Sequence, residues 1–378
     1  MEEWKKVSLR EATDIIGDGL HGTPLYSSDG EFAFVNGNNL SDGAVEIKAD
    51  TKMCDLSEYE KYKKDLSDRT LFLSINGTIG NTAKYSGEKI ILGKSACYLN
   101  VKKDYNLDFL YYVLRTPAFQ SAISGLATGT TIKNVSLKTI REYEFSVPDY
   151  EGQTRIARIL RAIDDKIELN KRINHNLEQQ AQALYKAWFV DFEPFKDEEF
   201  VDSELGMIPE GWRVGTLGEL LEIRYGKDHK KLSDGPYPVY GSGGLMRKVE
   251  RPLFEGESVL IPRKGSLNNV MYVNEAFWSV DTMFFSVERM PNVVKYSYQI
   301  LSQLDLASMN SGSAVPSMTT DILNAIQVVI PDKKVLENYN IILSRFFSSV
   351  ASIRNESCRL VDIRNSILPK LMNGEILC

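Results

Sequence analysis

Several stretches of this 378-residue chain have residue types and spacings that could do chemistry. Gly87 to Ser95, GEKIILGKS, approaches a phosphate-binding loop, in which backbone amides and a lysine cradle phosphate oxygens. It has five positions, not four, between its first glycine and Gly93-Lys94-Ser95, and reads as a turn and a strand. Pro148-Asp149 followed by Asp164-Asp165-Lys166 matches the loose nuclease pattern whose carboxylates converge on a metal. Asp164 and Lys166 fall on a helical pattern, however, and read as a solvated helix face. The three histidines, His21, His175 and His229, are far apart. Cys54, Cys97, Cys358 and Cys378 form no CxxC pair, which suits free thiols and not zinc. The chain has neither the Asn/Asp-Pro-Pro-aromatic string of an amino-methyltransferase nor a glycine-rich dinucleotide loop. The expectation is no catalytic residue, no metal and no cofactor on this chain.

A net charge of -6 argues weakly against a nucleic-acid partner, because phosphates reward a basic face. Charge is unevenly placed, though. Arg224 to Lys231, RYGKDHKK, holds four basic residues against one acidic, whereas Lys196 to Glu204, KDEEFVDSE, gathers acid. A basic loop on an acidic chain is compatible with DNA. No apolar run approaches the roughly 18 residues of a membrane span, and the N-terminus lacks an apolar core followed by small residues. A soluble, cytoplasmic protein is expected.

The elements that position these residues come from a duplication. Trp4 to Ile15, WKKVSLREATDI, aligns on Trp212 to Ile223, WRVGTLGELLEI. Thr128 to Asp149 aligns on Ser311 to Asp332 at an offset of 183, each ending as a strand closed by Pro-Asp. Leu73 to Thr82, LSINGTIGNT, aligns on Ile261 to Val270, IPRKGSLNNV, as a strand running into a turn. Gly77, Gly129, Gly265 and Gly312 recur in both halves and read as turn formers.

A heptad follows each half. Ile156, Ile163, Asn170, Leu177 and Leu184 are spaced by sevens, with Ile159, Leu160, Ile167, Ile173 and Ala181 filling the face. Adding 183 reaches Tyr339, Phe346, Ile353, Leu360 and Ile367, flanked by Ile342, Leu343, Val350, Ile363 and Leu371. A seven-residue beat predicts coiled-coil seams, and two such helices bury them against each other. Asn170 fits a polar residue that sets register. The first seam predicts a helix of about 50 Å at 1.5 Å per residue.

Tyr185 to Phe192, YKAWFVDF, then Ser203 to Trp212, SELGMIPEGW, and Ile367 to Ile376, ILPKLMNGEI, resemble the junction and C-terminal strings of the specificity subunits of type I restriction-modification systems. The resemblance covers the whole chain. It implies a mixed α+β fold: two duplicated α/β target recognition domains, 1–150 and 212–332, separated by two long antiparallel coiled-coil helices, 151–190 and 333–378, with a junction at 191–211. It further implies that each domain reads half of a split, asymmetric double-stranded DNA site. The helices would set the spacer and dock modification (methyltransferase) subunits, two per chain, which bind S-adenosylmethionine. Restriction subunits with ATP and Mg would join them. An autonomous DNA-binding regulator and a scaffold that binds only proteins are rival plans. The three strings together favour the specificity subunit.

Base reading needs forked or bidentate side chains on exposed loops, and phosphate anchoring needs cations and hydroxyls. The first half offers His21, Thr23, Asn36, Asn38, Asn39, Lys133 and Asn134. The second offers Arg224, Lys227, His229, Lys230, Lys231, Tyr240, Ser242, Arg263 and Lys264, with the glycines after Tyr240 allowing close backbone approach. Trp4 and Trp212 read as core anchors.

Overall fold

The computed structural model describes residues 4–125, 127, 134–309 and 317–376. They form two compact units, Met1–Leu169 with Glu356–Cys378, and Asn170–Asn355. The boundaries between the units fall inside the two long helices.

In the first unit, strands Thr13–Asp18, Ala96–Val101, Thr70–Ser74 and Thr82–Lys84 make an antiparallel sheet in that order. Residues Thr70 to Ser74 are all buried. A second sheet orders Met53–Cys54, Phe32–Val35 and Ile90–Leu92, the last two running parallel. Lys5–Ser8 pairs with Glu144–Val147 and brings the start of the domain to its end.

The second unit repeats this plan on larger strands. Leu221–Tyr225, Met283–Glu288, Phe254–Pro262, Met271–Ser279, Tyr237–Gly241 and Gly244–Val249 lie side by side in one sheet, with Tyr237–Gly241 parallel to Met271–Ser279. Arg213–Thr216 pairs with Gln327–Ile330, as Lys5–Ser8 does with Glu144–Val147.

The duplication shows in its smallest parts. Ser8 with Glu11, and Thr216 with Glu219, each form a capping box on a four-residue helix. Such a cap answers two backbone amides that helix geometry leaves without partners. Trp212 is buried on Phe195, with ring centroids 5.0 Å apart, and Trp4 is half-buried against the first core.

Each long helix has 40 residues, Tyr150–Phe189 and Lys333–Met372, offset by 183 at both ends. At 1.5 Å per residue each is about 60 Å long. Both start at the Asp of a Pro-Asp pair. Asp149 accepts from the Gly152 amide and Asp332 from the Lys334 amide, each at 2.7 Å.

Within the first unit, Ile156, Ala157 and Leu160 share a core with Leu368, Leu371 and Met372. Within the second, Ala181 and Phe189 share one with Leu336, Tyr339 and Leu343. In the first unit Asp164 meets Arg364 while Lys166 meets Glu356, so the paired segments there run antiparallel.

The inward stripe of the first helix runs Ile156, Leu160, Ile163, Ile167 and Asn170, alternating steps of four and three. Ile156 and Asn170 are buried and Ile163 is half-buried, as are Leu177 and Leu184. Tyr339 is buried, while Phe346, Ile353, Leu360 and Ile367 are half-buried. Ile159, Ile173 and Ile363 were expected on the inward face but are 37%, 36% and 49% exposed. They lie one residue off the stripe, about 100° around the helix.

Asp164 is also corrected. It is not on a solvated face: Tyr112, Arg115 and Arg364 all donate to its carboxylate. Lys166 does stay at the surface, 3.3 Å from Glu356.

Candidate nucleic-acid interface

In the first unit the parallel strands end at Val35 and Leu92, and the turn Gly93 to Ser95 leads into the next strand. Three loops fasten to this strand end and turn, and a fourth joins through Ile75. The Leu20 amide donates to the Leu92 carbonyl at 2.7 Å and the Gly93 amide to Val35 at 2.8 Å. The Gly37 amide donates to Ser95 Oγ at 2.8 Å, and that hydroxyl donates to Asn36 Oδ1 at 2.8 Å. The Ile75 amide donates to the Ser95 carbonyl, and the Val135 amide to the Ile75 carbonyl, both at 2.9 Å. The loops bearing His21, Asn36, Gly77 and Asn134 thereby meet at one end of the sheets.

The second unit makes the equivalent backbone bonds. Lys227 donates to the Ser279 carbonyl at 2.8 Å, Val280 to Tyr240 at 3.1 Å, Arg263 to Thr282 at 2.9 Å and Met318 to Arg263 at 2.9 Å. Isolated antiparallel bridges Asn76 to Asn134 and Lys264 to Ser317 are likewise equivalent. Gly77 and Gly265 take φ of +74° and +86°, a region that disfavours a Cβ. A Cβ on Gly19 or Gly226 would run into the carbonyl of Leu92 or Val280, so both loops need glycine to approach the strand end.

His21 and Thr23 are exposed, with His21 Nε2 2.6 Å from Asp18 Oδ2. Asn38 and Asn134 are exposed, and Asn36 is half-buried on Ser95. Asn39 is a correction. It is 4% exposed, its amide donates to the Glu46 carbonyl and Thr51 Oγ1, and its carbonyl accepts from the Asn36 amide, so it braces the loop from inside. Lys133, Gly129 and Gly312 lie outside the described residues.

Arg224, Lys227, Lys230, Lys231 and Lys264 are exposed. Arg224 holds Glu222 at 2.8 Å, and this pairing lowers the Glu222 pKa and raises that of Arg224. His229 is half-buried, and Arg263 stacks over the Tyr225 ring at 5.3 Å. Tyr240 is half-buried and its hydroxyl donates to Glu275 at 2.6 Å. Burial and that carboxylate push its pKa well up. The Ser242 side chain is half-buried and its carbonyl accepts from Asn269. Gly243 and Gly244 face open space.

Sequence reasoning missed Lys94, which stands exposed at the centre of the first cluster. The phosphate-loop-like string concealed it, and only the parallel strand pairing marks its position. Among the described residues no three His, Cys, Asp or Glu side chains gather as metal ligands. No described helix is long and apolar enough to cross a membrane.

Residues 1–179 and 209–358 match the family described as the type I restriction modification DNA specificity domain. The chain belongs to this family. It is a type I restriction-modification specificity subunit with two specificity domains, one in each half of the duplication. It is similar to the type I restriction enzyme MjaIX specificity subunit of Methanocaldococcus jannaschii, 26% identical over 71% of this chain and 69% of that protein. It also resembles the EcoBI specificity subunit of Escherichia coli, 21% identical over 99% and 86%. The crystal structure of a type I restriction-modification S subunit from M. genitalium shares the fold, with a TM-score of 0.62 at 20% identity, covering 98% of this chain and 96% of that one. The resemblance read from the junction and C-terminal strings is thus confirmed, as is the mixed fold of two specificity domains with long helices.

Proposed function

We propose that this specificity subunit reads a bipartite, asymmetric DNA site in the cytoplasm, one half per domain, and leaves catalysis to partner subunits. One observation carries the reading. The two domains fasten equivalent loops to equivalent strand ends, yet place different side chains at the tips: His21 against Asp228, Lys94 against Asp281, Asn76 against Lys264 and Asn134 against Ser317. A shared frame with different donors and acceptors suits two different half-sites. Linking two weak readers at a fixed spacing turns them into one strong one.

Exposed apolar residues along the long helices, Ile159, Leu169, Ile173, Ile341 and Ile363, support docking of two methyltransferase subunits and of restriction subunits. Those partners would carry S-adenosylmethionine, ATP and Mg. The test is methylome sequencing of cells with and without this chain, alongside its modification subunit. Loss of a split motif with a fixed unread gap upholds the reading. Unchanged methylation in an active system overturns it.

A further inference from the structure

We infer that the two domains divide the work of binding duplex DNA unequally, the second supplying most of the phosphate anchorage and the first reading with nearly neutral loops. The inference rests on the proposed DNA-reading function. Equivalence is set by the backbone bonds. Leu20 and Lys227 donate to matching carbonyls, so Thr23 and Pro24 correspond to Lys230 and Lys231. Ile75 and Asn76 correspond to Arg263 and Lys264. At these matched positions neutral residues of the first domain are replaced by cations in the second.

The second cluster therefore presents Lys227, Lys230, Lys231, Arg263 and Lys264 against Asp228 and Asp281. The first presents Lys94 against Asp18, to which His21 is bonded, and its loop after Asn39 sets exposed Lys48, whose ammonium donates to the Asn38 carbonyl, and exposed Lys52 among Asp42, Glu46 and Asp50. Lys227, Lys230, Lys231 and Lys264 are exposed and close no ion pair among the described residues. Many other lysines of the chain are spent on carboxylates, such as Lys89 on Glu31 and Lys63 on Glu60. Gly226 brings the lysine loop against the strand end, and Arg263 leans over Tyr225 from the neighbouring turn, so these cations share one edge of the sheet.

Unpaired ammonium groups on one edge suit the regularly spaced charges of a phosphodiester backbone, and each phosphate neutralised adds about 0.9 to the salt slope of binding. The first domain's polar tips, Asn38, Thr23 and Asn134, have donors and acceptors but little charge, which suits base edges.

The test uses the full chain assembled with its modification subunits and a short duplex carrying the motif found by methylome sequencing. Binding is followed by anisotropy over a range of salt. In one variant Lys227, Lys230 and Lys231 become Gln; in the other Lys48, Lys52 and Lys94 do. The first should lower the slope of log affinity against log salt by roughly 2 to 3, and the second by less than about 1. Restoring Lys227, Lys230 and Lys231 as Arg should return the slope. Equal losses, a larger loss from the first domain, or no rescue by Arg overturns the inference. If the unaltered complex shows no salt-dependent binding, the DNA-reading function itself fails and the inference falls with it.

Discussion

Arg364 of the second long helix closes on Asp164 of the first at 2.7 Å, inside the first unit. The Tyr112 hydroxyl and Arg115 reach the same carboxylate at 2.8 and 3.1 Å, so one acid ties both helices to the recognition domain. Under the 183-residue repeat Asp164 corresponds to Phe347, which packs on Tyr272 at 4.3 Å. The two ends of the helix pair are therefore held by different chemistry, ionic in the first unit and aromatic in the second.

Asp164→Ala should lower unfolding free energy by roughly 2 to 3 kcal/mol, because it strands two partly buried guanidinium groups. Combined with Arg364→Ala in a double-mutant cycle, it should show a coupling of about 1 kcal/mol. Purely additive losses in chemical denaturation would sink the node.

Tyr339 is fully buried against Phe189, with ring centroids 4.7 Å apart, and its hydroxyl has no hydrogen-bond partner among the described residues. Tyr339→Phe removes only that stranded polar group and should leave stability unchanged or raise it, whereas Tyr339→Ala should cost about 3 to 5 kcal/mol. Thermal melts of both variants decide it. A clear loss in the Phe variant would reveal a partner for the hydroxyl.

Glu11 and Glu219 titrate below the ordinary glutamate value. The Ser8 amide is the largest cause for Glu11, and Arg213 followed by the Thr216 amide for Glu219. A carboxylate with a depressed pKa in the folded state stabilises fully above its unfolded value, and that contribution is lost as pH falls through the folded one. Stability should thus decline from the ordinary glutamate range downward. In a Glu11→Gln, Glu219→Gln variant the decline of melting temperature with acid should be shallower. An identical slope would rule out the two caps as its source.

Asn38 and Asn39 are neighbours with opposite placements. Asn39→Ala removes a buried amide and should destabilise the chain by about 1 to 3 kcal/mol. Asn38→Ala, at an exposed tip, should leave stability within about 0.5 kcal/mol and act, if at all, on DNA binding. Paired denaturation and binding measurements separate them, and equal destabilisation would contradict the placement.

The duplication, the two helices and most of the seam were legible in the sequence because they are local or periodic. A seven-residue beat, a Pro-Asp cap and a Ser/Thr-x-x-Glu box each act within a few residues, so their physics is written in adjacent letters. Even there, a stripe alternating steps of four and three excluded Ile159, Ile173 and Ile363, a distinction visible only once the helices packed. The candidate interface was legible as a set of loops, not as a surface. Lys94 gained its place, and Asn39 lost its own, through pairings that periodicity does not show: the parallel strands ending at Val35 and Leu92, and the Glu46 carbonyl and Thr51 hydroxyl that take the Asn39 amide. Such contacts depend on which side chains the folded chain leaves over for water. Only the tertiary structure decides that, because burial is a property of the assembled domain and not of any segment of it.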